Sequence, residues 1–193
     1  MTRLLNSVNV GVARRVDING RALMSAIGKR GVTGAVEVKS MGLEGDEQAD
    51  LTVHGGLSKA VYAYPAEHYP FWQTVRAQAQ VSLWSEALAP GFMGENLTLT
   101  GVLESEVFIG DVLRFAHCEL AVSEPRYPCF KFNAVMGFKH ASQLMAANAW
   151  CGFYLAVRVP GSLNAGESFE LLPGPREVGI TELFRARMAR QRI

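Results

Sequence analysis

Hydrophobic and polar residues alternate in many short stretches of this chain. The alternation is clearest in residues 36–39, 96–100, 118–123, 153–159 and 168–172, and residues 60–64 form an apolar, aromatic run. A period of two places the apolar side chains on one face of a β-strand. Pairs such as Gly55-Gly56, Pro90-Gly91 and Pro160-Gly161 separate these stretches and favour turns. The pattern therefore predicts a mainly β fold of the barrel or sandwich type.

Three short segments have a helical pattern instead. The first begins at Pro65 or at Pro70 and ends near Gln80, and the second covers residues 141–147. The third covers residues 181–190 and follows the segment 173–175, Pro-Gly-Pro, which we interpret as a linker. A helix of about ten residues is marginal in isolation, so we expect it to pack on the body or on a partner chain, or to fray. The expected organisation is a β domain over residues 1–175 and a helical tail over residues 176–193.

Composition narrows the class of protein. The chain has 193 residues, of which 49% are hydrophobic and 19% charged, a balance typical of one globular domain. Its net charge of +1 argues against binding to nucleic acid through bulk charge. No apolar run approaches the roughly 20 residues of a membrane span, and polar residues interrupt any signal-peptide core near the start. Three cysteines without a CxxC motif fit a reducing cytosol, so we expect a cytoplasmic protein.

The segment 125–129, Pro-Arg-Tyr-Pro-Cys, is the strongest candidate for chemistry. Its two prolines restrict the backbone, so the loop is stiff before any ligand arrives. Cys129 then lies between Arg126 and Lys131, and cations favour the thiolate that attacks electrophiles and binds metals. The alternative is that Cys129 is a small buried hydrophobe. We expect that fate for Cys118 and Cys151, which lie in apolar surroundings.

A second candidate segment covers residues 42–64. Asp46, Asp50 and His54 recur every four residues and could bind a metal from one helix face, but the glycines and β-branched residues around them favour a loop and a strand. His54 then precedes Gly55-Gly56, where a ligand can approach the backbone closely. A tight turn with a capping histidine is the alternative. Lys59, beside an apolar strand, is either a solvated edge residue or a contact for an anion.

Two further segments combine glycine with polar side chains. Gly94, Glu95 and Asn96 lie at a strand entrance, and Ser25 and Lys29 flank Gly28. Both arrangements suit a polar or anionic ligand, and both also suit ordinary turns. The sequence has no Walker A motif, no GxGxxG motif after a strand and no HExxH motif, so nucleotide-binding and zincin functions lose their usual support.

Taken together, these segments resemble the MOSC family of molybdenum-cofactor-binding domains, which are related to the C-terminal domains of cofactor sulfurases. The similarity is greatest to the YiiM-like bacterial branch. The similar segments occur in the family's order and span about residues 20–175: SAIGK (25–29), GLEGDEQADLTVHGG (42–56), KAVYAYPAEHYPFW (59–72), GENL (94–97), GD (110–111) and SEPRYPCFKFN (123–133).

The resemblance implies a closed β-barrel, like the barrel domain of pyruvate kinase, with short helices. It also implies Mo-molybdopterin as cofactor and a reductase of N-hydroxylated bases such as 6-hydroxylaminopurine, with electrons from a separate flavoprotein. We expect a monomer or homodimer, and we expect neither nucleic acid nor a membrane nor pyridoxal phosphate as partner. YiiM-like proteins usually continue into a three-helix domain, and the helix at 181–190 corresponds to a remnant of it.

The resemblance also implies roles for individual side chains. Cys129 is the expected protein ligand of molybdenum, and a soft thiolate suits that metal. The cofactor carries a phosphate, which calls for cationic partners. Arg126, Lys29 and Lys59 are the expected partners.

Smaller polar residues are expected around the organic part of the cofactor. Ser25 and Asn96 are expected to hydrogen-bond the pterin or the phosphate. Gly55 and Gly56 would let the flat pterin lie close to the backbone. His54, with an ordinary pKa near neutrality, is expected to donate a proton or hydrogen bond to the substrate oxygen.

Three functions compete on this basis. The first is the reductase. The second is a non-catalytic carrier or sulfur-transfer module for the same cofactor. The third sets the resemblance aside and takes Cys129 as the nucleophile of a hydrolase, with His54 or His140 as base.

Overall fold

The structure, a computed structural model, describes residues 2–18, 21–49 and 55–190, and most of its regular structure is β-strand. In chain order the strands are β1 (Leu4–Val10), β2 (Arg14–Ile18), β3 (Arg21–Ser25), β4 (Arg30–Gly31), β5 (Val36–Lys39), β6 (Gly42–Leu43), β7 (Val61–Pro65), β8 (Leu97–Thr100), β9 (Val112–Arg114), β10 (Glu119–Pro125), β11 (Phe153–Val159), β12 (Gly161–Leu163) and β13 (Glu170–Leu172). The mainly β class expected from the alternation is confirmed.

An eight-stranded sheet organises the molecule, in the order β13-β9-β10-β11-β7-β8-β1-β4. Neighbouring strands are antiparallel except β7 and β8, which are parallel. Two smaller sheets accompany it, β12-β5-β6 and the hairpin β2-β3. The alternating apolar residues of the large sheet form the core, in which Leu97, Leu120 and Leu155 are fully buried.

The prediction of a closed barrel is wrong for the described residues, because the large sheet keeps two ends, β13 and β4. The chain just before β13 approaches the start of β1: the Leu5 N–H donates to the Glu167 carbonyl (2.9 Å), and the Gly166 N–H donates to the Leu5 carbonyl (2.7 Å). This contact forms a single isolated bridge, Leu4 to Ser168. The last residues of β1 pair with β4 instead. The edge of β1 is therefore shared between β4 and the chain before β13, and no continuous hydrogen-bond ladder closes the sheet.

Four α-helices pack on the sheets in the described part of the chain: α1 (Tyr69–Gln78), α2 (Phe130–Met136), α3 (Ala141–Asn148) and α4 (Ile180–Arg190). The start of α1 agrees with the alternative that placed it at Pro70, since Pro is tolerated in the first turn of a helix. The buried Trp72 of α1 donates from its indole to the Tyr64 hydroxyl (2.6 Å). No helix in the described ranges combines the length and apolarity that a membrane crossing requires.

The segment that precedes α4 is held in place and is not a loose linker. The buried Asp111 carboxylate accepts the Gly174 N–H (2.7 Å) and a guanidinium hydrogen bond from Arg176 (3.3 Å). In α4 itself, Ile180 and Phe184 are fully buried. Of the three outcomes expected for this helix, packing on the body of the chain is the one observed.

Candidate functional site

One open cleft, with about 680 Å³ of empty space, collects side chains from distant parts of the chain. They come from the end of β3 and the loop after it, the loop after β6, the start of β7, the entrance of β8, the loop between β10 and α2, and β11. The lining residues are Ser25, Ala26, Ile27, Lys29, Asp46, Glu47, Gln48, Ala49, Lys59, Ala60, Tyr62, Met93, Gly94, Asn96, Arg126, Cys129, Lys131 and Tyr154.

Six of the nine residues to which the resemblance gives a role lie in this cleft. The six are Ser25, Lys29, Lys59, Asn96, Arg126 and Cys129. Gly55 and Gly56 are not among its lining residues. Gly56 instead precedes the 3-10 turn that carries Lys59 and donates its N–H to the side chain of Gln48 (2.8 Å), a lining residue. His54 lies outside the described residues.

Cys129 differs from the other two cysteines in its access to the cleft. It is half-buried and immediately precedes α2, whereas Cys118 and Cys151 are buried in the core. Burial raises the pKa of Cys118 to about 12 and raises that of Cys151 well above its ordinary value. Of the three thiols, Cys129 is the one that a ligand in the cleft can reach.

Arg126 is a buried cation in the cleft wall, only 5% exposed. Its guanidinium lies over the rings of Tyr62 (5.7 Å) and Phe132 (5.2 Å) and donates to the Met145 sulfur (3.7 Å). No carboxylate of the described residues forms an ion pair with it. A buried charge without a counter-ion is costly, so an anionic group in the cleft would be stabilised here.

The pKa of Arg126 is consistent with a permanent positive charge. Burial alone lowers this pKa, but the neighbouring Tyr62, Cys129 and Tyr154 outweigh burial and raise it. Because a guanidinium holds its proton throughout the physiological range, Arg126 acts here as a fixed positive charge.

Lys29 is not available to a ligand in the simple way that the sequence suggests. Its ammonium forms an ion pair with the Asp46 carboxylate, and both side chains are buried. Burial lowers the pKa of Lys29, and Asp46 opposes that shift. Sequence reasoning considered Asp46 only as a metal ligand on a helix, whereas the structure places it in a loop as the partner of Lys29.

The Asn96 carboxamide is engaged in the same network. Its oxygen accepts the Tyr62 N–H (3.0 Å), and its nitrogen donates to the Asn9 carbonyl (3.2 Å) and to Asp46 Oδ2 (2.8 Å). Both amide hydrogens are therefore used within the protein. In this structure Asn96 orients Asp46 and joins β1, β7 and β8 at the cleft wall.

Two tyrosines of the cleft were missed as site residues. Tyr62 of β7 and Tyr154 of β11 are directly paired across the sheet, with ring centroids 5.4 Å apart. The Lys59 ammonium lies 5.9 Å from the Tyr154 ring and 3.7 Å from the Glu124 carboxylate. Burial raises the pKa of Tyr154 although Arg126 opposes this, so its phenol stays protonated and can donate a hydrogen bond at neutral pH. The signal in the sequence was an aromatic residue in each of two strands, and their pairing was not visible there.

The remaining polar contacts join the loops of the cleft. Ser25 is buried, and its hydroxyl accepts the Ile27 N–H (3.4 Å). The Lys131 ammonium donates to the Met24 carbonyl (3.1 Å), which ties α2 to the end of β3. Gly94 has a φ of +84°, and a Cβ there would lie 2.8 Å from Ile27 Cγ1. The loop before β8 can therefore approach the loop after β3 only with glycine at this position.

The charge of the cleft favours an anion. Its lining has four cations, Lys29, Lys59, Arg126 and Lys131, against two carboxylates. Among the residues that the structure describes, no group of three His, Cys, Asp or Glu side chains could hold a metal ion.

The hydrolase alternative loses one of its two bases. His140 is exposed before α3, hydrogen-bonds the Gln143 side chain (2.9 Å) and is not a lining residue of the cleft. The other base considered, His54, lies outside the described residues.

Comparison with known proteins supports the interpretation of these segments. The family model described as the MOSC domain matches residues 50–170. The chain is 38% identical over 182 residues to the uncharacterized protein YflK of Bacillus subtilis (strain 168), which covers 94% of this chain and 78% of that protein. It is also 38% identical over 159 residues to the protein YiiM of Escherichia coli (strain K12), covering 82% of this chain and 68% of YiiM.

A solved structure and a third related sequence agree with these matches. The crystal structure of YiiM from Geobacillus stearothermophilus superposes with a TM-score of 0.76 at 25% identity, covering 98% of this chain and 85% of that one. A protein of Gibberella moniliformis (strain M3125 / FGSC 7600) named as a reductase is 32% identical over 173 residues, which make up 89% of this chain but 30% of the fungal protein.

Proposed function

Because this chain belongs to the MOSC domain family, we propose that it binds a molybdenum cofactor and reduces N-hydroxylated compounds of the 6-hydroxylaminopurine type. The observation that carries the proposal is the position of Arg126 and Cys129 on one cleft. An accessible thiol, and a buried cation that forms no ion pair with a carboxylate of the described residues, suit a metal on one side and an anionic carrier on the other.

The residues of the cleft fit such a group. Cys129 would be the protein ligand of the metal, and Arg126 would bind the phosphate, assisted by Lys59. Lys29 would contribute through its Asp46-paired ammonium, which still has two further hydrogens to donate. Asn96 would hold that pair in place. When bound, the cofactor supplies the two-electron redox chemistry that protein side chains lack.

Reduction of an N-hydroxyl group to an amine consumes two electrons and two protons and releases water. The protein must therefore bring protons to the departing oxygen. The Tyr154 phenol, protonated at neutral pH and next to Arg126, is suited to donate a hydrogen bond there. The resemblance to the family implies that His54 donates a proton or a hydrogen bond to the same oxygen.

The source of the electrons belongs to the proposal as well. A separate flavoprotein would reduce the chain in the cytoplasm, and the chain would act as a monomer or homodimer. The electron source is tested by measuring turnover of 6-hydroxylaminopurine with NADPH and a flavoprotein reductase in place of the chemical reductant dithionite. Turnover that requires both NADPH and the reductase supports this part of the proposal. If dithionite drives turnover but NADPH and the reductase do not, this part is contradicted.

The main test uses protein made in a host that synthesises the cofactor. Metal analysis and pterin fluorescence measure loading, and dithionite-driven conversion of 6-hydroxylaminopurine to adenine measures turnover. We expect the unmodified chain to be loaded and active, Cys129→Ala to lose activity with its fold intact, and Cys118→Ala, the matched control, to keep activity. Turnover by Cys129→Ala would refute the ligand role.

The alternatives give different results in the same experiment. A chain that carries molybdenum and pterin but never turns over the substrate would be a carrier or sulfur-transfer module. Cleavage of esters or amides by metal-free protein would identify a hydrolase.

A further inference from the structure

Tyr127 lies between the two key residues of the cleft, Arg126 and Cys129, and its ring is held by α4. The ring stacks on Phe184, with centroids 5.6 Å apart and planes inclined by 7°. The Arg187 guanidinium lies 4.1 Å from the Tyr127 ring centroid. Two side chains one helical turn apart thus hold one aromatic ring.

The helix is anchored firmly enough to transmit this hold. Its first residue, Ile180, is fully buried and donates its N–H to the Val107 carbonyl (2.9 Å), and the Ile109 N–H donates to the Val178 carbonyl (2.9 Å). Phe184 is fully buried as well. The contacts of Asp111 with Gly174 and Arg176 fix the segment before the helix.

Two backbone hydrogen bonds border the Cys129 loop. The Arg126 N–H reaches the Gly152 carbonyl at 3.5 Å, the long end of the hydrogen-bonding range. The next loop contact of this kind, from the Phe132 N–H to the Cys129 carbonyl (2.9 Å), belongs to the start of α2. The contacts of the Tyr127 ring with Phe184 and Arg187 add a side-chain attachment to α4 between these two hydrogen bonds.

We propose that α4 is a positioning element for the cleft, in which Phe184 and Arg187 hold Tyr127 and thereby keep the Arg126 guanidinium and the Cys129 thiol at the cleft wall. The proposal concerns the protein alone. It holds whether the ligand is a molybdenum cofactor or another anion, so its test and the test of the proposed function fail separately.

The test compares two arginines of the same helix. Arg187→Ala removes the cation over Tyr127, and Arg185→Ala removes an equal charge from an exposed position. Two readouts are local: hydrogen–deuterium exchange of a peptide covering residues 126–132, and alkylation of Cys129 by iodoacetamide in the native protein. Cys118 and Cys151 serve as internal controls, because they are buried and react on global opening.

We expect Arg187→Ala to raise the hydrogen–deuterium exchange rate of the 126–132 peptide and the alkylation rate of Cys129. The expected factor is roughly two- to five-fold, which corresponds to the free energy of an exposed cation–π contact. Arg185→Ala should leave both rates unchanged. Arg187→Lys, which keeps the positive charge, should change them less than Arg187→Ala does. Unchanged rates at Cys129 in Arg187→Ala would overturn the proposal. An equal increase at all three thiols would also overturn it, because it would mean that the helix contributes only to global stability.

A second variant addresses the stacked ring. Phe184→Leu keeps an apolar side chain in the core and removes the stacking partner of Tyr127. Phe115→Leu, which loses a ring contact with Phe169 (5.2 Å) elsewhere in the molecule, serves as a control for stability. When the two variants have lost the same amount of melting temperature, we expect the 126–132 peptide to exchange faster in Phe184→Leu than in Phe115→Leu. Equal exchange in both would contradict the proposal.

Discussion

The Lys29 ammonium and the Asp46 carboxylate form an ion pair in the cleft wall, with side chains that are 8% and 5% exposed. Asp46 also accepts the Gly11 N–H (2.9 Å) and the Asn96 carboxamide (2.8 Å). The pair thus joins four segments that are far apart in the chain. Removing one partner of such a pair leaves a buried charge without compensation.

We predict that Asp46→Ala destabilises the protein strongly. The free energy of unfolding should fall by about 3 kcal/mol, since breaking a buried pair costs roughly 3–5 kcal/mol. The control is Glu44→Ala, which breaks the exposed pair of Glu44 with Lys39 and should change nothing measurable. Urea unfolding at neutral pH provides the comparison, and equal losses in the two variants would contradict the burial argument.

The lowered pKa of Lys29 predicts how the free energy of unfolding depends on pH. Burial lowers this pKa below its ordinary 10.5, so between the two values the unfolded chain binds more protons than the folded one. The free energy of unfolding therefore rises with pH across that window through this group. Lys29→Met lacks the contribution, and its stability relative to the unmodified chain should decline steadily as pH increases towards 10.5. Urea unfolding of the two proteins at a series of pH values measures this. If the difference between their free energies of unfolding stayed constant with pH, the lowered pKa of Lys29 would be ruled out.

Glu95 organises the loop before β8 through its fully buried carboxylate. Its four donors are the Tyr69 hydroxyl, the Thr98 hydroxyl (2.7 Å), the Gly91 N–H (2.8 Å) and the Met93 N–H (3.1 Å). In Glu95→Gln an amide N–H₂ group would face some of these donors, which should cost about 1–3 kcal/mol of unfolding free energy. Glu170→Gln, at an exposed site, is the control. A thermal or chemical melt that finds the two variants equal would argue against this network.

Arg126 is predicted to govern retention of the cofactor more than its chemistry. Losing a hydrogen bond to a charged phosphate costs about 1.5–3 kcal/mol, so Arg126→Ala should bind the cofactor roughly ten- to a hundred-fold more weakly. Arg158→Ala, an exposed arginine paired with Glu119 (3.7 Å), should retain it fully. Pterin fluorescence after purification from the same host measures the difference. Undiminished pterin in Arg126→Ala would assign the phosphate to another residue.

Strands with regular alternation could be found without a structure, and others could not. β11 alternates clearly and was predicted with its observed bounds of 153–159. β1 was missed because polar residues are buried within it: the Ser7 hydroxyl donates to Asn9 Oδ1 (2.7 Å), and the Asn9 amide donates to the Thr98 hydroxyl (3.1 Å). The hydrogen bond to Thr98 of β8 connects this buried pair to another strand, and a local pattern does not contain that information. The seven-residue α2 was too short for a helical period to stand out.

The amino-acid sequence was sufficient to infer the mainly β class, the set of MOSC-like segments, and a thiol flanked by cations on a proline-restricted loop, because each of these depends on residues that are neighbours in the chain. Only the folded structure shows that Lys29 pairs with Asp46, that the Asn96 amide is used within the protein, that Tyr62 and Tyr154 meet in the cleft, and that the large sheet does not close within the described residues. Each of these depends on contacts between segments that are distant in sequence. Strand order and burial bring those segments together, and they also set which charges are compensated.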